Sequence, residues 1–336
     1  MDTFNFSEVK KLLSPGKKIL LTSHANPDGD AVGSILAMLH FLNQMNLPTV
    51  ALLPNRFPEF LHWMPGQEKI KYIDGNEKEA ENLFLDSDII FSLDYNAPSR
   101  LDNAGKFLIK SKAVKILIDH HIKPEIQYFD HILSEIAISS TSELVYQFIS
   151  EINPELINRA VAECIYVGIL TDTGSFSYNC NFSKTFITVS KLIEKGIDTA
   201  AINRYVYDTN TEDRLRLLGY SLSEKMEVIK EYNTAIISLS QEELKRYNNK
   251  IGDTEGLVNY ALSVKGIRFA AFFRETKNKV RISFRSIGEF SVNEFARSHF
   301  EGGGHKNAAG GDSYVSMEKT IEKFKRLLPE YKNQLS

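Results

Sequence analysis

The feature that most constrains the fold is a series of short apolar runs that end on acids or histidines and alternate with helical periodicity. Ile19-Leu20-Leu21 leads into His24-Ala-Asn-Pro-Asp28-Gly-Asp30, and Asp88-Ile-Ile-Phe-Ser-Leu-Asp94 ends on its own acid. Val114-Lys-Ile-Leu-Ile-Asp119 delivers His120 and His121, while Thr49 to Leu53 is a further run without a polar ending. Short apolar runs bounded by turn residues read as buried strands, and their alternation with helical stretches such as Ala31 to Leu42 predicts an α/β fold with a doubly wound, mostly parallel sheet. Open sheets of this kind place their chemistry beyond the carboxyl ends of the strands. The polar endings all fall there. Asn158 to Leu170 reads as a strongly apolar helix ending in Thr171-Asp172-Thr-Gly, so a buried element delivers one more carboxylate.

Pro27 and Gly29 keep the first loop from being helical, so a turn arranges its histidine and two aspartates. One imidazole and two carboxylates at a strand end suit a divalent cation such as manganese. Asp28 and Asp30 are also residue types that cap a following helix, and by themselves they leave both readings open. The wider set is His24, Asp28, Asp30, Asp94, His120, His121 and Asp172. So many acids at one sheet edge repel one another unless cations hold them. Two metals ~3.5–4 Å apart need two sets of ligands and an anionic bridge, and hydroxide held between them is a strong nucleophile. The carboxylates can supply the bridge, and the histidines favour transition metals over magnesium.

The formal net charge of −3 gives no electrostatic footprint for long nucleic acid, leaving small phosphorylated ligands open. With 43% apolar and 25% charged residues, the composition is that of an ordinary globular protein. The N-terminus lacks an apolar signal-peptide core, and no apolar run approaches the ~20 residues that span a bilayer. The expectation is a cytoplasmic protein without a membrane partner. Cys164 and Cys180 have neither zinc-site nor disulfide-framework spacing; Cys164 reads as buried and Cys180 as an exposed thiol.

Ser140-Thr-Ser-Glu143 reads as a capping box before a helix from Leu144 to Ile152. The helix 184–195 completes a first domain over 1–196, a helical linker runs over 197–229, and a smaller α/β domain occupies 230–336. In that second domain Phe269 to Arg274 and Lys279 to Phe284 form a hairpin. Glu301-Gly302-Gly303-Gly304-His305 reads as a glycine loop whose backbone amides are open to a phosphate or ribose. Arg268, Arg274 and Arg281 read as solvated strand charges, and His40, His62, His131 and His299 as structural or surface residues.

His24-x-x-x-Asp28-x-Asp30, the lone Asp94, Asp119-His120-His121 and Thr-Asp172-Thr-Gly stand in the order found in the DHH phosphoesterase superfamily, which this chain resembles. The resemblance covers about residues 15–196 as catalytic domain and about 230–330 as DHH-associated domain. It implies His24 and Asp28 on one metal, Asp30, His120 and Asp172 on the other, and Asp94 bridging. It further implies His121 facing the substrate phosphate, with Asp119 behind as an orienting carboxylate. In the second domain it implies substrate binding by Arg285, Ser286, Gly303, Gly304 and His305, the arginine clamping a phosphate bidentately.

The activity implied is that of a manganese-dependent phosphohydrolase. Its substrates would be RNAs of a few nucleotides or 3′-phosphoadenosine 5′-phosphate (pAp), held between the two domains. The alternative is a phosphodiesterase of cyclic di-AMP or linear pApA. An inorganic pyrophosphatase ranks lower, because a Ser-Arg-Lys-Lys-type signature is not evident, and so does a non-catalytic nucleotide-binding regulator. No long-DNA partner is expected, and a homodimer fits the family.

Overall fold

The computed structural model describes residues 4–336, which form two compact units dividing between Thr209 and Asn210. The first is built on β1 (Ile19–Thr22), β2 (Thr49–Leu53), β3 (Lys71–Tyr72), β4 (Ile89–Leu93), β5 (Val114–Asp119) and β6 (His131–Ser134). All neighbours pair in parallel, in the order β3-β2-β1-β4-β5-β6. The order reverses between β1 and β4, and such a switch point opens a crevice beyond the strand ends.

Side chains alternate across this sheet with the period of two that a strand imposes. Ile19, Leu21, Phe91, Ile116 and Ile118 enter one core, and Leu20, Ile90 and Leu117 enter the other. Among the described residues the unit has eight α-helices: α1 (Phe6–Leu12), α2 (Gly29–Gln44), α3 (Glu77–Asp86), α4 (Gly105–Lys110), α5 (Thr141–Ile152), α6 (Arg159–Asp172), α7 (Ser183–Ile193) and α8 (Thr199–Tyr207). Between β1 and α2 the loop is held by Asn26, at φ 56°, whose amide donates to Asn55 Oδ1 at 2.7 Å. Gly29 is the first helical residue of α2 rather than part of the turn. What requires glycine there is α6, since a Cβ would lie 2.3 Å from Thr171 Oγ1.

The second unit holds α9 (Glu212–Ser223), β7 (Met226–Ile229), β8 (Thr234–Leu239), α10 (Gln241–Arg246), α11 (Leu257–Leu262), β9 (Phe269–Glu275), β10 (Val280–Ser286), α12 (Val292–His299), β11 (Glu301–Gly304), β12 (Ala308–Ser313) and α13 (Met317–Leu327). Its sheet runs β11-β12-β10-β9-β8-β7, with β8 and β9 parallel and the other pairs antiparallel. One face packs Phe269, Ile282, Phe284, Phe295 and Phe324 together, and the other packs Ala270 and Phe272 with Leu257, Val258 and Leu217. The helical stretch 197–229 is shared out: Ile202 and Val206 of α8 enter the first unit's core and Leu217 of α9 the second's.

Two further expectations change. The glycine run 301–304 is a strand paired with β12, not a loop. Cys180 is 9% exposed, with Sγ 3.0 Å from the Phe176 carbonyl, so it is a buried thiol. Among the described residues no helix is long and apolar enough to cross a membrane.

Candidate metal centre

Each polar residue of the centre is delivered by the end of an element. His24 follows β1, Asp94 follows β4, Asp119 closes β5, His120 and His121 come next, and Asp172 closes α6. Asp94 adopts φ 64°, a left-handed conformation that turns the chain sharply where β4 stops. Its amide donates to the Ile118 carbonyl at 3.1 Å, tying it to β5.

Two donor sets result. His24, Asp28 and Asp94 bring their ligand atoms within 4.8 Å of one another, as do Asp30, His120 and Asp172. Asp94 faces both: Oδ2 lies 3.4 Å from His24 Nε2, and Oδ1 lies 3.7 Å from His120 Nε2. His120 Nε2 is also 3.6 Å from Asp172 Oδ2 and 3.9 Å from Asp30 Oδ2. A third set joins Asp94, Asp119 and His121. The His24 Nδ1 atom sits 3.0 Å from the Ala25 carbonyl, which can only accept. Nδ1 therefore carries the proton, and Nε2 turns its lone pair toward the acids.

Asp28 does two jobs. Oδ1 caps α2 by accepting from the Asp30 and Ala31 amides at 3.0 and 3.1 Å, and Oδ2 lies 3.9 Å from His24 Nε2. Asp30 does not cap its own helix. Its carboxylate accepts from the Thr141 and Ser142 amides at 2.7 and 2.8 Å, at the start of α5. Thr141 Oγ1 also donates to Asp94 Oδ1 at 2.8 Å, so one residue steadies an acid in each set. These contacts were hidden in the sequence. Ser140 is indeed the cap of α5, but Glu143 turns to Ser139 and Thr185 instead of closing a capping box.

The electrostatics suit cations. Burial pushes the Asp94 carboxyl well above the usual carboxylate range, and Asp30, Asp28, Asp119 and Asp172 push it further. Burial raises Asp30 as well, although His120 and the Ser142 contacts oppose it. At the rim, burial works against the charge of Asp28, but His24 and the α2 amides hold it below its ordinary value. Burial lowers His24 and, more strongly, His121, keeping both imidazoles in the neutral form that ligates metal. Crowded acids interleaved with neutral imidazoles fit a pair of divalent cations.

His121 Nδ1 lies 2.7 Å from Asp119 Oδ1, and its amide donates to Oδ2 at 3.1 Å. Burial raises the Asp119 carboxyl to about 6, with His120 and the His121 amide pulling the other way. Arg100, which sequence reasoning passed over, adds positive charge felt at His24, Asp119 and His121.

In the second unit, Arg285 Nη1 donates to the Phe284 carbonyl at 3.0 Å. Ser286 is 6% exposed; its hydroxyl donates to the Phe290 carbonyl at 2.7 Å and accepts from Asn307 Nδ2 at 2.9 Å. The Gly304 amide donates to Asn293 Oδ1, and the His305 amide to the Ala308 carbonyl. Gly303 lies in β11, opposite Gly310 of β12. Of the other histidines, His40 Nε2 contacts the Pro65 carbonyl at 2.8 Å, His62 packs on Phe57, His131 opens β6 and His299 contacts Tyr331.

A parallel α/β sheet with two adjoining His/Asp donor sets at its switch point is the framework of a metal-dependent phosphoesterase. Residues 18–169 match the DHH family, N-terminal domain, and residues 232–334 match the DHHA1 domain. The chain belongs to the DHH family. It is 30% identical over 318 residues to the probable bifunctional oligoribonuclease and PAP phosphatase NrnA of Streptococcus mutans, covering 92% of this chain and 94% of that one. It is 27% identical to the cyclic-di-AMP phosphodiesterase GdpP of Bacillus subtilis, over 96% of this chain but 49% of GdpP. The crystal structure of an exopolyphosphatase-related protein from Bacteroides fragilis superposes with a TM-score of 0.94 at 42% identity, covering 100% of this chain and 99% of that one.

Proposed function

We propose that this DHH phosphoesterase uses manganese to cleave oligoribonucleotides of a few nucleotides and to remove the 3′-phosphate of pAp. The observation that carries this reading is the doubled donor set, in a chain matching 94% of the length of a relative named for those two activities. His24 and Asp28 would hold one cation, Asp30, His120 and Asp172 the other, and Asp94, which faces both sets, would serve the two together. Bound there, the cations supply Lewis-acid charge to the scissile phosphate and an activated water.

Asp119 keeps the proton of His121 on Nδ1, so His121 exchanges protons with the substrate through Nε2, and the carboxylate stabilises the imidazolium that forms. The positive charge of Arg100 favours a phosphate beside these groups. Arg285 and His305 grip a terminal phosphate, with Gly303 and Gly304 allowing close approach. Ser286 supports that grip by pinning the turn at Phe290 and the hairpin at Asn307. A manganese-loaded panel of pAp, diribonucleotides, cyclic di-AMP, linear pApA and pyrophosphate tests the reading. Phosphate from pAp and mononucleotides from the diribonucleotides are expected. Turnover of cyclic di-AMP or pyrophosphate alone, or binding without turnover, contradicts it.

A further inference from the structure

On β10, Arg281, Ser283 and Arg285 share the face opposite Ile282 and Phe284, which enter the phenylalanine core. Their partners on β12 are Asp312, Gly310 and Ala308. Small side chains, Ser283, Gly310 and Ala308, thus floor a slot with an arginine at either end. Gly310 is exposed, and a Cβ built there meets only the Ile282 carbonyl, at 3.6 Å. Its backbone does not need glycine either, having no positive φ. Gly302 differs, since a Cβ there would collide with the Gly310 carbonyl at 2.0 Å. Glycine within a strand is used where a bulge, a bend or the close approach of a ligand calls for it, and the open space at Gly310 suits the last of these.

Charge points to what approaches. Arg281 is exposed and faces Arg274 across β9, a like-charge pair that costs stability. Arg274 reaches the Thr254 hydroxyl at 3.4 Å, and Asp312, beside Arg281, is taken by Lys279 at 2.7 Å. Arg281 and Arg285 lie four residue steps apart along the strand, about 13 Å, roughly two repeats of an extended single-stranded backbone.

We propose that the Arg281–Ser283–Arg285 row with Gly310 is an extended subsite of the DHHA1 sheet for a ribose-phosphate chain, with Arg281 holding the phosphate two nucleotides from the one held at Arg285. This rests on the short-oligonucleotide reading above and deepens it: Arg281 makes the enzyme sensitive to substrate length. The test compares KM for a pentaribonucleotide and for pAp with the manganese-loaded full chain. Arg281→Ala and Gly310→Val each shift the ratio of the two KM values against the pentanucleotide by about tenfold, matching loss of a backbone contact. Lys319→Ala, which removes an exposed cation from α13, does not shift the ratio. An unchanged ratio in Arg281→Ala, an equal shift in the lysine control, or full pentanucleotide affinity in a folded Gly310→Val overturns the subsite. Failure of the wild type to cleave the pentanucleotide while hydrolysing another panel member overturns the functional reading itself, and the subsite with it.

Discussion

Asp94 holds a left-handed backbone conformation that costs an aspartate about 1–3 kcal/mol, in a position where four other carboxylates oppose its charge. A side chain kept under both burdens, with one oxygen toward His24 and the other toward His120, fits a bridging ligand. Replacing Asp94 with Asn removes the shared charge while keeping the shape. Turnover at saturating manganese should fall by roughly 10³-fold, the loss of about 4 kcal/mol of metal-borne stabilisation, with the circular dichroism spectrum unchanged. In the proposed mechanism Asp119 acts one step further back, through its 2.7 Å contact with His121 Nδ1. Asp119→Asn should lower kcat by about 10²–10⁴-fold with little change in KM, and steady-state kinetics on pAp distinguishes this from a binding defect. For Arg285→Ala the opposite split is expected: a raised KM with kcat largely retained.

At the scale of elements, the start of α5 supports the centre, because its first two amides hold Asp30 and the Thr141 hydroxyl holds Asp94. Thr141→Val should weaken manganese binding by about 10–100-fold, as loss of a ligand-orienting group does, and calorimetry of the metal-free protein measures it; Thr141→Ser should restore affinity. Strand-end placement made the gathering of His and Asp side chains legible in the sequence, since short apolar runs stopping on such residues converge on one sheet edge. Their support was not legible. Ser140-Thr-Ser-Glu143 looks like a cap and is one, and nothing local reveals that its amides serve an aspartate 111 residues earlier. The edge strands β3 and β6 escaped notice because they are short and none of their side chains is fully buried. The glycines of β11 read as a loop because glycine is depleted in strands, and only pairing with β12 fixes their state.

At the scale of the whole molecule, each unit has its own sheet and its own cores, and the chemistry proposed for each is different. Glu243 is one group that ties the stability of the second unit to pH. Burial works against its charge, but Lys225, Tyr220 and Ser240 hold the carboxyl at about 2, below its ordinary 4.5. A carboxylate depressed in the folded state stabilises above its ordinary value and loses that contribution as pH falls toward 2. Glu243→Gln should therefore flatten the acid limb of stability between those values, measured by thermal melts across pH. The central claim, a paired-cation centre in the first unit, is tested most directly by counting ions. Equilibrium titration of the metal-free chain with manganese, followed by electron paramagnetic resonance, should show two bound ions per chain in the wild type and fewer in Asp94→Asn; saturation of the wild type at a single ion contradicts the account.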